Sequence, residues 1–138
     1  MKNTTFYSAT GEGTKFDWAI MHRAVFNGAK FGNPSFVHTV LREARFERSE
    51  LVKPDFTGAD LTNASFEGAT MTQPIFVDAT LNGTNLHAKG IVDEDLRAAH
   101  LCNVIGPSGK TLGGDCKGAR QEPMANVNPP SEAPCKPL

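Results

Sequence analysis

Large apolar side chains recur at every fifth position of this chain. From Phe16 to Leu101, eighteen consecutive positions in one frame are Phe, Leu, Met or Ile. With 39% apolar residues overall, such a run arises by chance roughly once in ten million. The frame reaches back to Phe6 and contains all nine phenylalanines. A spacing of five fits neither the 3.6 residues of a helical turn nor the two-residue alternation of a strand, so the backbone has to turn between successive centres. Two residues before each centre lies a second column, of which Ala24, Ala44, Ala59, Ala64 and Ala69 are typical. Sixteen of its eighteen members are small or proline, and Lys89 and Glu94 are the exceptions. A large and a small residue from each quintet, both turned inward, fill a narrow tube. The three other residues of each quintet are mostly polar or glycine and belong to the surface.

The quintets PSFVH (34–38), PDFTG (54–58) and PIFVD (74–78) recur every twenty residues, which predicts four quintets per turn of the coil. Residues n and n+20 are then neighbours about 4.8 Å apart, as in paired strands. Pro34, Pro54 and Pro74 fall in one column, which confines the missing amide donors to one corner. Phe16, Phe36, Phe56 and Phe76 stack on one side, and Phe26, Phe46 and Phe66 on the opposite one. Lys89 and Glu94 stand where burial of an unpaired charge would cost several kcal/mol. Either they pair with each other, or the coil loosens near residue 88. The stretch DEDLRAAHLC (93–102) reads as continued coil, with a helix capped by Asp93 as the other possibility.

AVFNG, ADLTN, ASFEG and ATLNG resemble the A(D/N)LXX units of pentapeptide-repeat proteins, and the resemblance runs from about residue 14 to 103. It implies an all-β fold: a right-handed quadrilateral parallel β-helix, a solenoid with four pentapeptides per coil and about five coils. Residues 1–13, with Gly11 at a centre position, are expected to be an N-terminal cap or degenerate first coil. The β-helix itself takes 14–103. The Gly- and Pro-rich stretch 104–138 is expected to be an irregular C-terminal tail.

At 138 residues the chain has room for one small domain. Its 14 basic and 15 acidic side chains do not favour nucleic acid or an anionic membrane as partner. No apolar run is long enough for membrane insertion, and the start MKNTTFYSAT lacks a signal-peptide core. This points to the cytoplasm, with the periplasm or another oxidising compartment, after processing of the N-terminus, as the alternative. Cys102, Cys116 and Cys135 allow two readings: three free thiols in a reducing compartment, or one bridge, Cys102 to Cys116, stapling the tail to the coil. Their spacing contains no CxxC unit, and His22, His38, His87 and His100 fall on different columns, so no metal site is expected. VIGPSGKT (104–111) ends like a phosphate-binding loop, but Val104 stands where that loop needs glycine, and it reads as a Gly-rich turn. No catalytic residue, cofactor or small-molecule substrate is expected.

The coil does gather side chains that are distant in sequence. Trp18 stacks on His38 and Ile20 on Val40; with Val37 and Arg42 they form a candidate protein-contact patch, rimmed by Lys15, His22, Arg23 and Glu43. The competing reading packs Trp18 under the N-terminal segment, against Phe6 or Tyr7. The expected role is a non-enzymatic structural or interaction module offering a rigid β-helical surface to an unidentified protein partner, including as a subunit of a larger assembly. The family resemblance implies one alternative, a DNA-mimicking gyrase inhibitor or protector of the kind that confers quinolone resistance. Those relatives are strongly acidic along one face, whereas this chain carries a net charge of −1.

Overall fold

Every fifth residue from Asn3 to Gly83 takes a left-handed backbone conformation, with φ between +48° and +72°. These residues lie two places after each centre and turn the chain through its corners. At most corners the next amide donates back to the centre's carbonyl, as Ala19 does to Phe16 (3.1 Å) and Ala59 to Phe56 (2.9 Å). A four-residue turn with positive φ at its third residue has the arrangement of type II. On one side this amide is missing, because Pro34, Pro54 and Pro74 occupy its place. There the chain runs extended, as β1 (Thr10–Glu12), β2 (Lys30–Gly32), β3 (Glu50–Val52) and β4 (Thr70–Thr72). The proline column expected at one corner is thus the corner that follows the regular sheet.

The computed structural model describes residues 3–113, together with 119–120 and 136–137 as backbone. Strands β1 to β4 pair in parallel with Gly11 opposite Phe31, Phe31 opposite Leu51 and Leu51 opposite Met71. The other three sides pair through single bridges at the same offset, including Lys15 with Ser35, Ile20 with Val40 and Val25 with Arg45. The result is an all-β, right-handed quadrilateral parallel β-helix, the hand that parallel crossovers overwhelmingly take.

The interior is built as the two inward columns require. Phe36 stacks on Phe56 with ring centres 4.9 Å apart, and Phe26 on Phe46 at 4.6 Å. Across the tube the two stacks meet edge to face, as Phe26 and Phe36 do at 5.7 Å and 89°. Ala24, Ala44, Ala59 and Ala69 are fully buried beside them. Burying each centre contributes about 1.5–3 kcal/mol before conformational entropy is subtracted. The buried hydroxyls of this column are satisfied by the backbone: Thr39, Ser49 and Thr84 donate to the carbonyls of Phe16, Phe46 and Leu61 at 3.1, 2.6 and 2.7 Å.

Departures from the pattern occur where the sequence breaks it. Residues 3–13 enter the ladder: Asn3 donates to the His22 carbonyl at 3.0 Å and Thr5 bridges Val25. The side chain that Gly11 lacks is replaced by the Thr14 hydroxyl and the Phe31 ring, which occupy its space. Lys89 and Glu94 are both exposed, because the coil loosens just ahead of them. Lys89 pairs with Thr70, nineteen residues back instead of twenty. Gly90, at φ +87°, passes directly over the Met71 carbonyl. A 3-10 turn at Asp93–Leu96, with Val92 and not Asp93 at its N-cap, takes up the lost residue, and Thr80 again pairs with His100. The stretch is continued coil with one tight turn.

The expected irregular tail from Val104 needs correction in its first part. Ile105 still bridges Asn85, and β5 (Val104–Ile105) folds back antiparallel on β6 (Thr111–Leu112). Gly106 donates to the Lys110 carbonyl at 2.7 Å, so the VIGPSGKT string is a hairpin turn. The hairpin forms because Val104 and Leu112 are apolar and cover the last coil, where both are buried in the core. Further on, β7 (Ala119–Arg120) pairs antiparallel with β8 (Lys136–Pro137). The rest of the tail lies outside the described residues. Cys102 is fully buried and disulfide-bonded, so the reading of three free thiols does not hold. Its expected partner Cys116, like Cys135, lies outside the described residues.

Candidate interaction face

One side of the square, in the first two coils, runs from Trp18 to Arg23 and directly below from His38 to Glu43. The pairing of Ile20 with Val40, and the bond from the Arg23 amide to the Arg42 carbonyl (2.9 Å), fix this stacking. Trp18 sits at the corner with φ +64° and is 72% exposed. A left-handed conformation costs a non-glycine residue about 1–2 kcal/mol. Part of that is offset by the His38 ring, which lies 4.3 Å below the indole at 27°. His38 in turn lies where a side chain of residue 58 would project, and Gly58 leaves the space open. Phe6 packs on Phe16 and Phe26 at 5.4 and 4.7 Å, so it belongs to the core and does not cover the indole. The alternative of Trp18 tucked beneath the N-terminal segment does not hold.

Of the six residues singled out from sequence, Trp18, Ile20, His38, Val40 and Arg42 lie along this face. Val37 does not: it is half-buried around the corner, its carbonyl accepting the Trp18 amide (3.0 Å) and its own amide donating to Asp17 (3.0 Å). Beyond Ile20 and Val40 the face becomes charged. Arg23 pairs with Glu43 and Arg42 with Asp60, each at 2.7 Å through Nε. A cleft of about 380 Å³ opens here, lined by Asn3, His22, Arg23, Arg42 and Glu43. Four of its lining residues, His22, Arg23, Arg42 and Glu43, belong to the rim expected from the sequence; Asn3 and the cleft itself were not foreseen. The twenty-residue register places Arg23 over Glu43, but the approach of Asn3 depends on how the first coil closes. In the coils below, the same side carries Asp60, Thr62, Thr80 and Asn82, so its apolar and cationic character is confined to the first two.

Asp60 anchors the lower edge. Partial burial pushes its carboxyl upward, but hydrogen bonds from the Thr62 hydroxyl (2.6 Å), Arg42 and the Thr62 amide (3.1 Å) outweigh this and hold it below the ordinary carboxylate value. A depressed folded value means that the stabilisation is present above the unfolded carboxylate value and is lost as pH falls through the folded one. Thermal melts at about pH 2 to 5 should therefore show a shallower acid slope for Asp60→Asn than for the wild type. Equal slopes would show that these bonds contribute nothing. Among the described residues, no group of three or more His, Cys, Asp or Glu side chains is placed to hold a metal ion.

Residues 55–87 match the family model for pentapeptide repeats, in eight copies. Among solved structures, HetL, a pentapeptide repeat protein involved in heterocyst differentiation regulation in the cyanobacterium Nostoc sp. strain PCC 7120, superposes with a TM-score of 0.60 at 23% identity. The alignment covers 75% of this chain but 40% of HetL, so the chain spans well under half of that protein's length. A pentapeptide repeat protein of the cyanobacterium Cyanothece 51142 aligns at 18% identity over 75% of this chain and 77% of its own, with a TM-score of 0.43. A plasmid-mediated fluoroquinolone resistance protein aligns at 13% identity over 83% and 90%, with a TM-score of 0.26. No curated protein matches the chain.

Proposed function

This chain is a pentapeptide-repeat protein, and on that premise we infer that it is a rigid, non-enzymatic interaction module whose contact surface is the face carrying Trp18. Pentapeptide-repeat proteins are generally structural modules, and the coil supplies what such a module needs: a stiff core and side chains fixed on a flat wall. The observation that carries the reading is the tryptophan itself. The left-handed corner position accepts many residue types, among them Arg23, Glu43 and Lys53, so the backbone does not single out Trp18; its largely exposed indole does. A large aromatic side chain left mostly in solvent, beside exposed Ile20, has the make-up of an interface anchor. Trp18→Ala should leave the melting temperature within about 2 °C of wild type and abolish partner capture from the native source. Unchanged capture would reject the face.

The gyrase-inhibitor alternative draws no support from the surface. Carboxylates are interleaved with bases, in the pairs Arg23–Glu43, Lys30–Glu50, Arg42–Asp60 and Arg45–Glu47, and do not form a stripe of one sign. The Cys102 bridge favours an oxidising compartment such as the periplasm over a reducing cytoplasm. Among the described residues no helix is long and apolar enough to cross a membrane. Alkylation of the denatured, unreduced protein should then label one of its three cysteines, and all three after reduction. Three labels without reduction would remove the bridge and the compartment with it.

A further inference from the structure

The geometry points to an acidic, apolar-anchored peptide segment as the occupant of this face, a step that rests on the interaction reading above. Read across the first coil, Trp18 and Ile20 form an apolar half, and Arg23, next to His22, a cationic end; the second coil repeats the division with Val40 and Arg42. The two are adjoining parts of one wall, so a single ligand can touch both. From corner to corner the wall spans five residues, about 15 Å in extended chain. A partner segment in extended form would set an aromatic or branched side chain against Trp18 and Ile20, and a carboxylate two to four residues further on in the cleft.

The cleft is built to take that carboxylate. Its lining carries two guanidiniums against Glu43, and Asp60 lies against Arg42 at the lower edge, so the group is formally neutral with His22 neutral and offers a further carboxylate hydrogen-bond donors, not net charge. Both guanidiniums contact their acidic neighbours through Nε, which leaves terminal N–H groups to hold a second carboxylate, singly or as a fork. Glu43 and Asp60 are the repulsive groups, and Arg23 and Arg42 engage one each. Asn3 adds an amide at the rim. Its small extent disfavours nucleic acid: tracking a phosphate backbone takes a long basic stripe, whereas here the bases stop at the second coil, with Asp60 and Thr62 below. An apolar partner without acids would fill only half of the wall.

The test uses the full chain as bait for a displayed library of random heptapeptides, beside Trp18→Ala and the double variant Arg23→Gln with Arg42→Gln. All three side chains concerned are exposed, and a circular dichroism melt checks that each variant is folded. Wild type is expected to enrich peptides with an aromatic or branched residue followed within four positions by Asp or Glu. A synthetic representative should lose about tenfold in affinity when its acids become amides, and about tenfold on the double variant. Enrichment that depends on Trp18 but is indifferent to the acids would overturn this inference and leave the interaction face standing. No enrichment, or enrichment unaffected by Trp18→Ala, would overturn both. A labelled single-stranded oligonucleotide that binds as tightly as the acidic peptide would replace the peptide by nucleic acid.

Discussion

Replacing Phe56 by aspartate is expected to unfold the coil. The ring is fully buried, stacked between Phe36 at 4.9 Å and Phe76 at 5.4 Å, and flanked edge-on by Phe46 and Phe66 at 5.9 and 5.6 Å. Losing a buried phenylalanine costs about 3–5 kcal/mol in packing alone. The carboxylate that replaces it would have no partner inside the tube, which adds several kcal/mol or forces it to protonate. The sum reaches the whole stability of a small domain, about 5–15 kcal/mol. Val77, one residue past the next centre in the same column, is 43% exposed, and Val77→Lys should shift stability by less than about 0.5 kcal/mol. Urea melts followed by circular dichroism compare the two. A similar loss in both variants would mean that the every-fifth frame does not mark the interior.

Gly90→Ala is expected to cost about 3 kcal/mol, far more than the addition of one methyl group suggests. Two effects coincide there. The backbone is at φ +87°, and the Met71 carbonyl occupies the space into which a Cβ would project. A rigid backbone group cannot swing aside as the end of a side chain can, so the chain has to move at the point where the coil has already lost a residue. Gly109 separates the two effects. It has nearly the same backbone, φ +90°, but nothing lies within 4 Å of its missing Cβ. Gly109→Ala should therefore show the conformational cost alone, about 1 kcal/mol. If the two variants melted together, the tight passage of residue 90 over Met71 would be wrong.

The candidate face was only partly legible in the chain. That Trp18 lies on His38 and Ile20 on Val40 follows from the twenty-residue turn, and the ring contact at 4.3 Å agrees with it. The grouping with Val37 overlooked the corner: Trp18 marks the bend itself, so a residue one place before the corner in the next coil belongs to the adjoining wall. A signal for the bends was present, since glycine or asparagine stands at residues 13, 28, 33, 58, 63, 68 and 83, two places after a centre in each case. The cleft was partly legible too: the same turn sets His22 over Arg42 and Arg23 over Glu43, and only the approach of Asn3 depends on how the first coil closes.

The amino-acid order alone determined the repeating body of this protein. Each coil has to bury its own large and small residue in the same tube, so the same requirement is written into the chain some eighteen times and can be read without coordinates. Tertiary structure decided what occurs once. The slip at Lys89, the hairpin that brings Leu112 over the last coil, and the bridge at Cys102 each answer to a local surface left by the coils before them. A period records what every turn shares; an end or a defect depends on which groups are left uncovered, and that becomes known only when the coil is wound.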